Sequence, residues 1–532
     1  MRTPKIPEIK KDEFSPTVIE LLDVLRYQAE QIQILRNEIA VLKGDKKPPK
    51  IKPGNLDKGG GKNNTDSDTP KKDGDKRNGS AKRNKTENLK IHSTVKCPAH
   101  DVPAGSIFKG YKEFTVQGIV IKPHNTLYRI ERWQTVDGTY IQGKLPESVT
   151  GHFSSELISF IQYQYHQCHV TAPLLLEELL EFKIDISIGQ INNILVEGNE
   201  LFHEEKDELL KTGLANSSHI NVDDTGARHD GKNGYCTQIG NEFFTWFGST
   251  HSKSRINFLT LLQAGNIGWC LNDDAFNYFK REKLPLVVIE LLRNNVRTFF
   301  ITQENWQVHL KSLGIKSTHH VRIATEGALI GNLFKNDFNP SLVILSDDAG
   351  QFNILLHALC WVHAERLIHK LVPYTDEQRA SLKLVLDQIW EFYRELKDYK
   401  INPTTELKKT LDEKFDSIFL QNTCYLTLNI ALKRLYKNKN ELLLVLDRPE
   451  IPLHNNLSET DIREYVKRRK ISGGTRSDSG QKSRDTFTSL KKTARKLGVS
   501  FWDFLNDRNS RKKLIPTLSE LMILGMNAQN TC

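Results

Sequence analysis

Three acidic positions stand where phosphodiester chemistry would need them. Asp223 closes a short apolar run, Ile220 to Val222. Asp347 follows a second one, SLVILS at 341–346, and Glu459 lies within PLHNNLSETDIR at 452–463. Cleaving or transferring a phosphodiester calls for two divalent ions roughly 4 Å apart, one for the attacking and one for the leaving oxygen. Magnesium takes hard oxygen ligands and keeps several waters, so a few carboxylates from different elements suffice to hold it. Asp224 and Asp348 are neighbours of the same type, and on the residues alone they compete for the same roles. An Asn at 455 or 456 can cap a helix whose first turn carries Glu459. On that helix Arg463 shares the face of Glu459, and Lys467 and Lys470 continue it, a row able to grip phosphates beside the metals.

The elements that must position these acids follow from periodicity. A mixed α/β domain is expected from about His219, with a strand at 220–223, a hairpin over 235–247 turned at Gly240-Asn241, and a buried strand at 341–346. Residues 353–371 are expected to continue as helix. Residues 375–445 carry apolar residues at three- and four-residue intervals and form a helical insertion. Upstream, Ser15-Pro16 opens a helix. There Val18, Leu25, Ile32 and Ile39 alternate in heptads with Leu21, Gln28, Leu35 and Leu42, a short coiled coil suited to self-association.

Residues 45–95 hold almost no large apolar side chain and make a flexible tether. Cys97-Pro98-Ala99-His100 is half a zinc knuckle without a second pair at ligand spacing, so the strands expected at 114–121 and 126–133 form a metal-free, knuckle-like β module. His166, Cys168 and His169 lack a partner pair as well, and zinc is not expected there. Residues 172–182 and 187–198 form two short helices, with Ser187 and Gln190 spaced as a capping box. This is helix-turn-helix geometry in which the second helix reads DNA, although any paired helices share the pattern.

Length and charge set the frame. With 532 residues the chain exceeds one hydrophobic core, and no apolar run reaches a bilayer's span. The first residues lack a secretory signal and the seven cysteines are scattered, which suggests a reducing, cytoplasmic setting. Of the net charge of +10, residues 46–90 contribute +8 (14 Lys/Arg against 6 Asp/Glu) and residues 463–496 contribute +9 (12 against 3). The second stretch adjoins Glu459 and is expected to be a DNA-binding surface.

Four blocks in order, VDDTG (222–226), SDDAGQF (346–352), CWVHAER (360–366) and HNNLSETDIR (454–463), resemble the signature segments of insertion sequence 66 transposases. The resemblance spans about residues 95–510. It implies a multidomain α/β protein with an RNase H-like catalytic core interrupted by helices, and it places the catalytic acids and metal ligands on Asp223, Asp347 and Glu459. Two Mg²⁺ ions are implied, with Mn²⁺ able to substitute. So are transposon-end and target DNA as partners, a homodimer or higher oligomer, and accessory transposition proteins. Cys360, Trp361 and His363 match a block whose buried helix face is structural. The glycine-containing stretch 472–477 supplies Arg476 as a further DNA contact beside Arg463, Lys467 and Lys470. The sequence departs from the family pattern at His454, at Thr460 and in its incomplete knuckle.

The expected organisation is a coiled-coil helix (15–44), a basic linker (45–95), the β module (96–150), a helix-turn-helix-like region (151–214), the core (215–375), the helical insertion (376–445), the rest of the core with the Glu459 helix (446–510) and a tail (511–532). The expected activity is Mg-dependent cleavage of transposon ends and strand transfer into target DNA. A DNA-binding regulator without catalysis and an RNase H-like nuclease of branched DNA are the alternatives, and neither would yield end DNA joined to a target.

Overall fold

The computed structural model describes residues 89–146, 149, 151–294 and 296–530, together with eight positions between 21 and 35. Of the coiled-coil heptads, Leu21, Leu25, Gln28, Ile32 and Leu35 are helical and exposed; Val18, Ile39, Leu42 and the tether through residue 88 lie outside the described residues.

Between 96 and 146 the β module shrinks to two three-residue strands, β1 (Arg132–Gln134) and β2 (Tyr140–Gln142), paired antiparallel and exposed throughout. The strands expected at 114–121 and 126–133 do not form. Their alternate apolar residues, such as Phe114 (90% exposed) and Leu127 (80%), meet no opposing surface. Alternation makes a strand only where something covers the apolar face.

Helices α1 (Ser155–His166), α2 (Ala172–Glu181) and α3 (Ile188–Val196) close around Ile161, Leu175, Leu179, Ile186, Ile191 and Leu195. The capping box forms as expected: the Ser187 hydroxyl accepts from the Gln190 amide while the Gln190 side chain reaches back. Helix α4 (Glu200–Asn216) then leads into the sheet.

The sheet starts as an antiparallel meander of β3 (His219–His229), β4 (Lys232–Gly240) and β5 (Thr245–Thr250). A layer follows whose purpose the sequence did not disclose: α5 (Arg255–Leu262), β6 (Trp269–Cys270), α6 (Asp273–Arg281), α7 (Leu286–Arg293), β7 (Phe299–Phe300), α8 (Gln303–Ser312) and α9 (Thr318–Lys335). It joins the main core through Phe258, Tyr278, Phe279, Trp306 and Leu329. Helix α9 comes so close that a Cβ on Gly327 would lie 2.2 Å from the Phe279 ring and one on Gly331 2.3 Å from the Cys270 carbonyl, so only glycine fits.

The chain returns as β8 (Val343–Ser346), parallel to β3, and β9 (Leu356–Leu359), parallel to β8, completing the order β5-β4-β3-β8-β9. The helix expected over 353–371 is thus divided into strand and helix. A four-residue buried strand flanked by apolar residues carries no periodicity that separates it from the helix following it.

Helices α10 (Trp361–His369), α11 (Asp376–Ile401), α12 (Thr405–Phe419), α13 (Leu426–Lys437) and α14 (Lys439–Leu442) gather a second core. Trp361 sits among Phe392, Phe415 and Phe419, its indole N–H donating to the Leu442 carbonyl at 2.9 Å. The chain ends with α15 (Asn456–Ser472), α16 (Asp478–Lys496), α17 (Phe501–Asn509) and α18 (Leu518–Asn530).

Helix α16 covers the open edge of the sheet. Backbone N–H groups of Thr245, Phe247 and Ser249 on β5 donate to the side chains of Thr493 (3.0 Å), Ser489 (2.9 Å) and Asp485 (2.8 Å). Four residues of helix rise about 6 Å and two residues of strand about 6.7 Å, so acceptors every fourth residue stay in step with donors every second. An edge that would invite another strand is satisfied by a helix instead.

Candidate active site

Strands β3 and β8 set two of the acids side by side. Their parallel register pairs His219 with Val343, Ile220 with Ile344 and Asn221 with Leu345. Two residues further on stand Asp223, which lies inside β3 because that strand runs on to His229 rather than ending at 223 as expected, and Asp347, just past the end of β8. Neighbouring strands lie about 4.8 Å apart, and the carboxyl ends of parallel strands are the usual place for ligands in open α/β sheets.

The third acid arrives on α15, fixed to the same sheet by buried polar side chains. Asn455 at its start does not cap the helix with its side chain. It accepts from Asn221 Nδ2 at 2.8 Å and donates to the Val222 carbonyl at 2.8 Å, while its own N–H points to Cys360 Sγ at 3.2 Å. One turn on, Ser458 donates to Gln238, which lies opposite Asp223 on β4. Glu459 is thereby held over the strand ends.

The neighbouring aspartates are already engaged. Asp224 accepts from Thr237 Oγ1 (2.5 Å) and Gln351 Nε2 (3.0 Å), and Asp348 is drawn to Arg434 and Asn438 of the helical insertion. Asp223 and Asp347, by contrast, accept only the nearby backbone amides of Asp224 and Ala349 and make no ion pair among the described residues. Burial foremost pushes the Asp223 carboxyl up to about 7, with the Asp347, Asp224 and Glu459 charges adding to it and the Asp224 N–H opposing.

Glu459 is not turned toward the two aspartates as a third ligand. Its Oε1 accepts from Arg366 Nη1 at 3.1 Å, with His363 Nε2 at 3.7 Å, and its Oε2 lies 3.7 Å from Arg463. Among the described residues no three His, Cys, Asp or Glu side chains stand close enough to enclose a metal ion together. The acids therefore form one electrostatic neighbourhood, with Asp223 and Asp347 adjacent and Glu459 held by Arg366.

His363 and Arg366 were not expected here. Cys360 and Trp361 are buried as a structural helix face should be, but His363 and Arg366, three residues apart, leave that face and meet Glu459. Burial lowers the imidazole of His363 below its ordinary value, against the raising fields of Asp347 and Glu459, and favours the neutral ring. Two polar residues at helical spacing inside an otherwise apolar stretch were the available signal.

The basic stretch 463–496 is not one surface. Arg463, Lys467, Lys470 and Arg476 are exposed, whereas Arg468, Arg484, Lys491 and Lys492 are buried. Lys492 and Lys496 flank Asp461 at 2.9 and 2.7 Å, and Lys491 bonds Glu464 at 2.7 Å. About half of the cations expected to meet DNA instead tie α15 and α16 to each other, to α1 and to the sheet.

The sequence model of the family described as "Transposase IS66 family" matches residues 332–483, a span holding β8, Asp347, the helical insertion and Glu459. The chain is also 44% identical over 302 residues to "Uncharacterized protein y4jO" of Sinorhizobium fredii (strain NBRC 101917 / NGR234), an alignment covering 56% of this chain and 94% of that protein. With the match centred on two of the three acids, and a relative covered nearly end to end, the chain belongs to the insertion sequence 66 family of transposases.

Proposed function

We propose that this protein cuts DNA at transposon ends and joins the freed ends to target DNA, with Asp223, Asp347 and Glu459 as catalytic acids on an RNase H-like core. The placement of Asp223 and Asp347 at matching positions on adjacent parallel strands carries the reading. The strand order, three antiparallel strands followed by two parallel ones, supports the RNase H-like core.

The donor set suits Mg²⁺, or Mn²⁺ in its place: carboxylate oxygens only, gathered without a lysine or arginine on Asp223 or Asp347, with burial foremost and the neighbouring acids after it pushing the Asp223 carboxyl up to about 7. Two bound ions would supply activation of the attacking oxygen and stabilisation of the leaving one. Asp223 and Asp347 would hold them, with Glu459 completing the set once released from Arg366. Asp223 would give up its proton on loading. Asn455 and Ser458 keep the Glu459 helix on the sheet, and neutral His363 beside Glu459 and Asp347 leaves the site's negative charge uncancelled.

Exposed Arg463, Lys467, Lys470 and Arg476 extend away from Glu459 along α15 and into the following loop, where they would contact backbone phosphates. Helix α3, with Gln190, Asn192 and Asn193 exposed, would read bases. The heptads of residues 15–44 would pair two copies, and proteins encoded beside this one would assist. Among the described residues no helix is long and apolar enough to cross a membrane.

The test is incubation of the full chain with labelled end DNA and a target plasmid, in Mg²⁺ or in EDTA. Nicked ends that become joined to the plasmid only with Mg²⁺ are expected. Nicking without joining would point to a nuclease, and binding without nicking in either condition would overturn the catalytic reading.

A further inference from the structure

At the seam where α1 and α3 meet α15 and α16 lies a cavity of about 40 Å³, walled by His166, Val196, Glu464, Arg468, Ser483 and Lys491 among others. That exceeds the roughly 10–15 Å³ needed by one enclosed water. We propose that this cavity is a binding site for a phosphate group.

The first support is a set of missing partners. Arg468 Nη2, Ser483 Oγ and His166 Nε2 bond to nothing in the protein and belong to cavity-lining residues that are more than nine-tenths buried. Buried polar atoms are nearly always satisfied, and three orphans around one void mark the place of an absent hydrogen-bonding group. Arg468 is anchored beside it: Nη1 donates to the Tyr165 carbonyl at 2.8 Å and the guanidinium lies 3.8 Å over the Tyr165 ring, while Nη2 has no partner.

The second support is charge. Three cations, Arg468, Arg484 and Lys491, line the space against one carboxylate, Glu464. His169 and Lys491 bond that carboxylate at 3.0 and 2.7 Å, the His169 bond foremost in holding it well below the usual range, so Glu464 neutralises Lys491 and leaves two guanidiniums uncompensated. Arg484 is tied to the Gly473 carbonyl and the Ser472 hydroxyl, both at 3.0 Å, and cannot swing away without breaking those bonds. Waters would satisfy the orphans but leave two like charges facing each other in a confined space. An oxyanion answers both needs, and paired arginines with a hydroxyl suit phosphate geometry.

The site joins the N-terminal helical bundle to the Glu459 helix, so an occupied cavity would cement that seam. The phosphate group is either a free ion or part of a DNA backbone. The assignment does not rest on the catalytic reading, and an Asp347→Ala chain should bind phosphate as the native chain does.

Inorganic phosphate is the probe, titrated into the full chain by calorimetry and followed by ³¹P line broadening. Saturable binding is expected. Ser483→Val, which fills the cavity, should weaken it at least about tenfold, and Ser483→Ala, which removes a hydroxyl that bonds nothing and so spares the fold, should weaken it less. A short duplex that displaces the ion, and itself binds Ser483→Val poorly, identifies the source as backbone phosphate; a duplex that leaves the ion bound identifies free phosphate. Absence of saturable binding, equal binding by all three chains, or a crystal structure grown in phosphate that shows only ordered water would overturn the proposal.

Discussion

Two clusters of buried or partly buried acid in this molecule are built on opposite terms. Against α16, Asp461 is met by Lys492, Lys496 and the Thr245 hydroxyl, and Glu464 by Lys491 and His169. Where β3 passes the end of β8, Asp223 and Asp347 stand together with no cation among the described residues bonded to either, and the Asp223 carboxyl is pushed up to about 7. Matched charge stabilises a particular packing. Unmatched charge is retained against the interest of stability, which is the signature expected where a protein keeps room for an external cation.

Removing one partner should separate the two clusters most sharply on the matched side. Asp461→Ala strands two lysines beside the sheet edge and should destabilise the chain by about 3–5 kcal/mol, measured by urea unfolding. An unchanged midpoint would mean those ion pairs contribute nothing.

The unmatched side should respond with the reverse sign. Below about pH 4 Asp223 is protonated whether folded or unfolded. Between about 4 and 7 the folded form holds a proton the unfolded form has lost, so the stability contribution of this group falls with rising pH and levels off above 7. Asp223→Asn should therefore stabilise the metal-free protein at pH 8 by about 2 kcal/mol and change little at pH 4. A melting temperature lowered at pH 8 would contradict the unmatched-charge account.

Smaller effects sharpen the role of α16 as an edge cover. Ser489→Ala leaves the Phe247 N–H without its acceptor and should cost about 1–2 kcal/mol. The smallest stability effect belongs to the exposed cations: Lys467→Ala with Lys470→Ala should shift stability by less than about 0.5 kcal/mol. The same pair should make the salt dependence of DNA binding shallower by about 0.9 for each phosphate no longer neutralised, read from affinities at several salt concentrations. An unchanged slope would remove these residues from the interface.

Much of the sheet was legible because its signals were local. The apolar run 341–346 ends in Asp347-Asp348 and is β8; Gly240-Asn241 marks the β4–β5 turn; the leucine spacing of 375–445 is a helical stack. What failed depended on partners distant in sequence. The alternation at 114–121 looks like a strand but has nothing to pair with, and β9 is recognisable only beside β8. Charge counting made 463–496 one basic surface, because a count does not show that every fourth residue of α16 faces β5.

The candidate site divides in the same way. The acids were found as residue types in expected strands and a helix, and the choice between Asp223 and Asp224, or Asp347 and Asp348, rested on the family resemblance; the sequence did not show that Thr237, Gln351 and Arg434 engage Asp224 and Asp348. His363 was assigned to a structural face and Arg366 was given no role, because their partner, Glu459, lies more than ninety residues away. Asn455 was taken for a helix cap, yet its side chain bonds β3.

The central claim is that Asp223, Asp347 and Glu459 act as one unit. Strand cleavage of end DNA in Mg²⁺, measured for the three single Ala variants and their pairwise doubles with end binding as the control, tests it most directly. Residues that act together lose activity non-additively, so each single variant should fall to the same background, at least about a thousandfold down, with the doubles no lower and end binding retained. A single variant that cleaves at the native rate, or losses that multiply from singles to doubles, would contradict it.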